Sequence, residues 1–249
     1  MNEAAQIWAD LQLQFWGAAT VFYRIGAAVS MLPGFGESSL SVRLKLLLGI
    51  ALTIVITPTL GTTARVEPSI WFIFSETAIG LMFGIGVRLF VYTLQTAGAI
   101  AANTTSLAQL FSQGQETQLP IISHTLHWAG LALIFHAGVH LTFIGYLISS
   151  YALFPIGELP LAADTSAWGI KQISHSFALA LQLALPFVAI SMLYNLVLGV
   201  INRAMPQLMV ALVGAPFITG ASLVLLAISS PYLLGIWLSA LTNYLASPM

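Results

Sequence analysis

Long apolar blocks separated by short polar breaks set the pattern of this chain. Residues 11–23 carry no charge up to Arg24, and the apolar run resumes as far as Pro33. Pro33-Gly34-Phe35-Gly36-Glu37-Ser38-Ser39 then reads as a turn, because Pro and Gly break helices. After Arg43 and Lys45 the pattern is apolar from Leu46 to Leu60, and beyond polar residues 61–68 it is apolar from Ile70 to Val87, interrupted by Glu76. Leu89 to Ala102 continues as a helix-compatible stretch. His124 to Tyr151 reads as one long apolar helix closed by Pro155-Ile156-Gly157, and 157–171, with Glu158, Asp164 and Lys171, reads as an exposed loop. Ser174 to Ile201 and Gln207 to Tyr244 form a last pair, divided by Asn202-Arg203-Ala204-Met205-Pro206. A spanning helix needs roughly 20 apolar residues. The blocks therefore predict about six membrane segments and leave no room for a separate soluble domain. The expected fold is all-α, an integral membrane helical protein of kinked helical hairpins.

Composition points the same way. Of the 249 residues 58% are hydrophobic and 6% charged, with a net charge of −1. A soluble domain carries about 25% charged residues to solvate its surface. A soluble enzyme, a disordered protein and a coiled coil are thereby excluded, and so is the basic surface that nucleic acid requires. Without cysteine there are no disulfides, thiolate metal sites or cysteine nucleophiles. Met1-Asn2-Glu3-Ala4-Ala5-Gln6 lacks a basic leader, so the first apolar stretch is expected to stay in the mature protein. Arg43, Lys45, Arg88 and Arg203 flank the odd-numbered loops, against Arg65 and Lys171 on the even ones. That asymmetry favours a cytoplasmic position for the odd loops and an outside position for both termini.

Several features depart from a plain helix bundle. Pro186 and Pro216 fall inside the last two segments. They read either as packing kinks or as the broken helices of a transporter site. Glu76, Gly80, Gly84 and Arg88 recur every four residues along one helix face, and the two glycines permit close helix approach. That face is expected to need a protein partner. Glu76 and Arg88 lie about 18 Å apart along the helix and cannot pair with each other. Glu76 reads as a proton carrier, as an interhelical hydrogen-bond acceptor, or as an acid near the membrane edge. His124 and His127 form one pair and His136 and His140 another, but on a continuous helix they occupy nearly opposite faces. They cannot close around one metal, which needs three or four ligands. No serine-hydrolase elbow, phosphate loop or zinc-protease motif is present, so no enzymatic role and no cofactor are expected. Residues 103–120 are polar, nearly uncharged and studded with Leu107, Leu110, Phe111 and Leu119. They fit either a plug in a protein-walled wet cavity or an ordinary flexible loop.

Asn202-Arg203-Ala204-Met205-Pro206-Gln207-Leu208, followed by Val213-Gly214-Ala215-Pro216, resembles the signature of the flagellar biosynthetic protein FliR family. Pro33-Gly34-Phe35-Gly36 with Arg43 and Pro58, the Glu76/Gly80/Gly84 pattern, Gly98, and the His140, Ser150, Pro155 spacing extend the resemblance over nearly the whole chain. The resemblance implies a structural subunit of the flagellar type III protein export gate, in the bacterial inner membrane at the flagellar basal body. The expected partners are FliP and FliQ homologues, an FlhB homologue and exported unfolded flagellar proteins. It further implies a FliP-like part over residues 1–155, with a plug loop at about 104–120, and a FliQ-like hairpin over 172–249. Ser106, Leu107, Leu110, Phe111, Ser112, Gln113, Gly114 and Gln115 would form the plug. Glu76, Gly80, Gly84, Arg88 and His140 would serve packing and buried polar contacts, and Asn202, Arg203, Pro206, Gln207, Gly214 and Pro216 the last inter-helix loop. The T component of virulence type III secretion systems shares this core, and Gly214 before Ala215-Pro216 favours the flagellar branch. A secondary transporter remains the reading from another class. No internal repeat supports it.

Overall fold

The computed structural model describes residues 2–60, 69–105, 121–205 and 210–247, and the described residues form seven helices and no strand. They are α1 (Asn2–Met31), α2 (Val42–Leu60), α3 (Ile70–Thr105), α4 (Ile121–His136), α5 (Val139–Leu153), α6 (Ala162–Ala204) and α7 (Val210–Ala246). An all-α integral membrane protein is what the apolar blocks predict. Four helices are long and apolar enough to cross a bilayer (α2, α3, α6 and the Pro216–Ala246 part of α7), and α4 with α5 makes a fifth candidate as one broken span. The first apolar segment, α1, is not among them. It carries Glu3, Asp10, Gln12, Gln14 and Arg24, which lower its apolar character below that of the others.

Three boundaries differ from the sequence pattern, each for a local reason. The fourth segment breaks in two at Gly138, whose φ of 69° is left-handed. Glycine adopts that conformation without steric cost. The Ala137 N–H still bonds to Leu133 O at 2.8 Å, closing α4, while Gly138 caps α5. Apolar periodicity cannot register such a break, because Ala137-Gly138-Val139 is itself apolar. One consequence is that His136 and His140 do not share a continuous helix, so their four-residue spacing has no helical meaning. Second, 162–171 is helix rather than loop. Asp164 stands in the first turn of α6, where the helix dipole favours an acid, and its charge marks a helix start. Third, α3 runs on through Asn103 to Thr105. The Thr104 and Thr105 hydroxyls donate back to Ala101 O at 3.0 and 2.9 Å, so these polar side chains are satisfied by their own helix. Pro186 lies within α6 and Pro216 within α7, and both helices continue through them, as α7 also does through Pro231.

The chain gathers into two compact units, with α3, α6 and α7 each running through both. The first comprises residues 1–89, 138–172 and 244–249. Its core is formed by Val21, Ile25, Ala28 and Val29 of α1, Ile79 and Phe83 of α3, and Phe143 and Leu147 of α5, all buried. Phe83 packs on Tyr146 with ring centroids 4.8 Å apart, and the Tyr146 and Tyr244 hydroxyls lie 2.8 Å from each other. The second comprises residues 90–137 and 173–243. Trp237 is fully buried there and donates its indole N–H to Phe90 O at 2.7 Å. Gly98 faces the Ser123 backbone so closely that any side chain would force α3 and α4 apart. Ser123 Oγ reinforces that crossing by donating to Gln95 O at 2.8 Å.

Candidate functional site

Arg24 lies in the C-terminal half of α1 and Glu76 near the start of α3, and both are fully buried. A lone charge in such surroundings is costly, so each must be neutralised where it sits. Arg24 Nε donates to Glu76 Oε2 at 2.7 Å and Nη2 to Oε1 at 3.1 Å, a two-pronged match of planar guanidinium to carboxylate. The pair also recruits backbone. Glu76 Oε1 accepts the Gly157 N–H at 2.9 Å. Arg24 Nη1 donates to Ser150 O at 3.2 Å and Phe154 O at 3.0 Å, carbonyls that close the C-terminus of α5. The guanidinium carbon lies 4.0 Å from the Tyr151 ring centroid, within cation–π range. One ion pair thus ties α1, α3, the end of α5 and the following turn together. Both carboxylate oxygens accept hydrogen bonds within the chain, the geometry of an interhelical acceptor.

The glycines of the same α3 face make this possible. A methyl group at Gly80 would overlap the Arg24 carbonyl oxygen, and one at Gly84 would stand 2.8 Å from both Ala28 O and Met31 Cβ. The Gly80/Gly84 face is therefore filled by α1 inside the chain, and the expectation that this face needs a protein partner is not met there. Arg88, one further step along the face, reaches the α1–α2 turn, with Nη1 3.4 Å from Gly36 O and 3.5 Å from Met31 O. Lys45 donates to the same Gly36 oxygen at 2.9 Å. Gly36 must be glycine, since a Cβ there would strike Ser30 O.

The remaining expected residues are dispersed. His140 is half-buried in the first turn of α5 and engaged within the chain. Asn202 and Arg203 are exposed at the end of α6, where Arg203 complements the negative end of the helix dipole. Gly214 packs under the Tyr194 hydroxyl, and Pro216 is exposed on α7. Pro206 and Gln207 lie outside the described residues, as do all the plug residues, Ser106, Leu107, Leu110, Phe111, Ser112, Gln113, Gly114 and Gln115. In the second unit His127 Nδ1 is 3.1 Å from Gln95 Nε2, and Ser191 Oγ donates to Thr104 O near the end of α3. Among the described residues no three His, Asp or Glu side chains converge in a way that could hold a metal.

Arg24 is the residue that sequence reasoning missed, read there only as a break in an apolar run. A signal existed. Acids within apolar helices often pair with a cation, Arg88 was too far along the helix, and Arg24 was another cation embedded in an apolar stretch, which made it a candidate without selecting it.

Residues 15–244 match the family described as bacterial export proteins, family 1. The chain is 31% identical over 231 residues to the flagellar biosynthetic protein FliR of Caulobacter vibrioides, covering 90% of this chain and 92% of that one. It is 28% identical to the FliR of Escherichia coli K12, with 89% and 85% covered, and 24% identical to that of Bacillus subtilis 168, with 84% and 83% covered. With a family match over nearly its whole length and relatives matched almost end to end, the chain belongs to the bacterial export protein family that includes the flagellar biosynthetic proteins FliR.

Proposed function

We propose that this chain is a structural subunit of the flagellar type III protein export gate in the bacterial inner membrane at the flagellar basal body, where it helps to form and plug the secretion pore. The observation that carries the reading is the match to FliR over 92% of the Caulobacter protein. FliP and FliQ homologues are the expected neighbours, with an FlhB homologue nearby and unfolded flagellar proteins as cargo. Residues 1–155 make the FliP-like part and 172–249 the FliQ-like hairpin. Supporting the hairpin, α6 and α7 are long helices joined over a short stretch, and both expose large apolar side chains such as Leu193, Val200, Phe217 and Ile228. Such surfaces suit lipid and neighbouring apolar helices, not water.

The barrier is assigned to 106–120 on composition. Leu110 and Phe111 seal by apolar contact, while Ser112, Gln113 and Gln115 rebond to water once the pore fills, and Glu116 is the segment's single charge. Gly114 allows the backbone to rearrange. Deleting 108–115 is expected to raise resting ion conductance of membranes carrying the complex, while FliP and FliQ homologues still co-purify with the chain. Unchanged conductance with an intact complex would reject the plug. Loss of the complex would assign the segment to assembly instead.

A further inference from the structure

Among the described residues, one open furrow between α6 and α7 and another between α1 and α2 differ in charge. The one between α6 and α7, about 530 Å³, is walled by Ile190, Phe217 and Val224 with no charged residue. The one between α1 and α2, about 480 Å³, has a small-residue floor of Gly26, Ala27 and Gly49, walls that include Phe22 and Leu46, and Lys45 in its lining. The helices meet closely there: a Cβ on Gly49 would stand 3.4 Å from Gly26 Cα. A lining made mostly of Phe22, Gly26, Ala27, Val42, Leu46 and Gly49 suits a hydrocarbon chain better than a polar ligand.

Lys45 gives the furrow its selectivity. Its ammonium is steadied by one hydrogen bond to Gly36 O, and an ammonium has three N–H donors. Two remain for an anion. Arg43 is exposed on the same turn of α2, while Glu37 of the preceding turn is engaged within the chain. The distribution of Lys and Arg favours the cytoplasmic leaflet for this end, the leaflet where anionic headgroups face polybasic segments. We propose that the α1–α2 furrow seats an anionic phospholipid, with one acyl chain along Gly26, Ala27 and Gly49 and its phosphate on Lys45 Nζ. Apolar length and cationic end together distinguish this from general wetting of an apolar surface by lipid.

The test uses the full chain purified with its partner subunits and equilibrated in detergent with added dioleoyl phosphatidylglycerol or dioleoyl phosphatidylcholine. Retained lipid is read by native mass spectrometry. Phosphatidylglycerol is expected to be retained about fivefold over phosphatidylcholine, the preference that one lysine near a headgroup provides. High salt and Lys45→Gln should each erase that preference. Gly26→Leu, whose Cβ would meet only Phe22 at an ordinary 3.5 Å, should displace both lipids. Gly220→Leu, in the uncharged furrow, should leave the preference intact. Equal retention of the two lipids by the unaltered complex would overturn the proposal. So would a preference that survives Lys45→Gln, or a photo-crosslink from position 46 to a neighbouring subunit. If Lys45→Gln fails to accumulate, the salt dependence of the unaltered complex decides.

Discussion

Arg24→Leu and Glu76→Leu, made singly, are each expected to destabilise the chain by about 3–5 kcal/mol, the cost of stranding the surviving charge of a buried pair. The double Arg24→Leu/Glu76→Leu chain should recover most of that loss. Its recovery will be incomplete, because the Phe154 carbonyl and the Gly157 N–H lose the partners that the pair supplied, while Ser150 O keeps the Phe154 N–H at 2.9 Å. A buried group left unsatisfied costs about 1–3 kcal/mol. The swap Arg24→Glu/Glu76→Arg is the informative variant. It preserves the ion pair but places a carboxylate against two carbonyl oxygens and a guanidinium against a backbone N–H. It should therefore fare no better than either single change. Thermal unfolding of the purified chain in mild detergent, with resistance to a nonspecific protease as a second readout, checks the series. A swap as stable as the unaltered protein would show that only the mutual attraction matters and that the backbone contacts contribute nothing.

The all-α membrane architecture was legible because it rests on bulk composition and block length, which no tertiary detail alters. The ion pair was half legible. Glu76 stood out as an acid inside an apolar block, and its periodic glycines were visible, but its partner lies 52 positions away on another helix. Spacing arguments reach only one helix at a time, so they could exclude Arg88 and could not select Arg24. The glycine face illustrates the same limit from the other side. The pattern announces close approach, yet it cannot say whether the approaching helix belongs to the same chain, and here it is α1. The break at Gly138 was illegible for a different reason. A single left-handed glycine changes the course of the chain without altering hydropathy. At 162–171 the charges suggested solvent correctly, but the exposed first turns of a helix are as charged as a loop.

Gly80→Ala is expected to be among the most damaging single-methyl additions in the chain, although alanine is otherwise a better helix former by about 1 kcal/mol. The new Cβ would overlap Arg24 O and lie 2.9 Å from Arg24 C and 3.0 Å from Ala27 Cβ. Two of these are backbone atoms, which cannot rotate away, so α1 and α3 must separate. Overpacking of this kind costs about 1–3 kcal/mol. Here it also acts on the residue whose guanidinium holds Glu76, so separation lengthens the ion pair and adds to the loss. Gly145→Ala and Gly169→Ala provide the contrast, since a Cβ at either position meets nothing within 4 Å. Both should be neutral or slightly stabilising. The coupling is measurable by introducing Gly80→Ala into the Arg24→Leu/Glu76→Leu background. If the methyl acts partly through the ion pair, its penalty there should shrink by about 0.5–3 kcal/mol, the range for residues in direct contact. An undiminished penalty would mean that Gly80 serves helix approach alone and that the pair tolerates the shift. A harmless Gly80→Ala in the unaltered chain would contradict the close α1–α3 crossing itself.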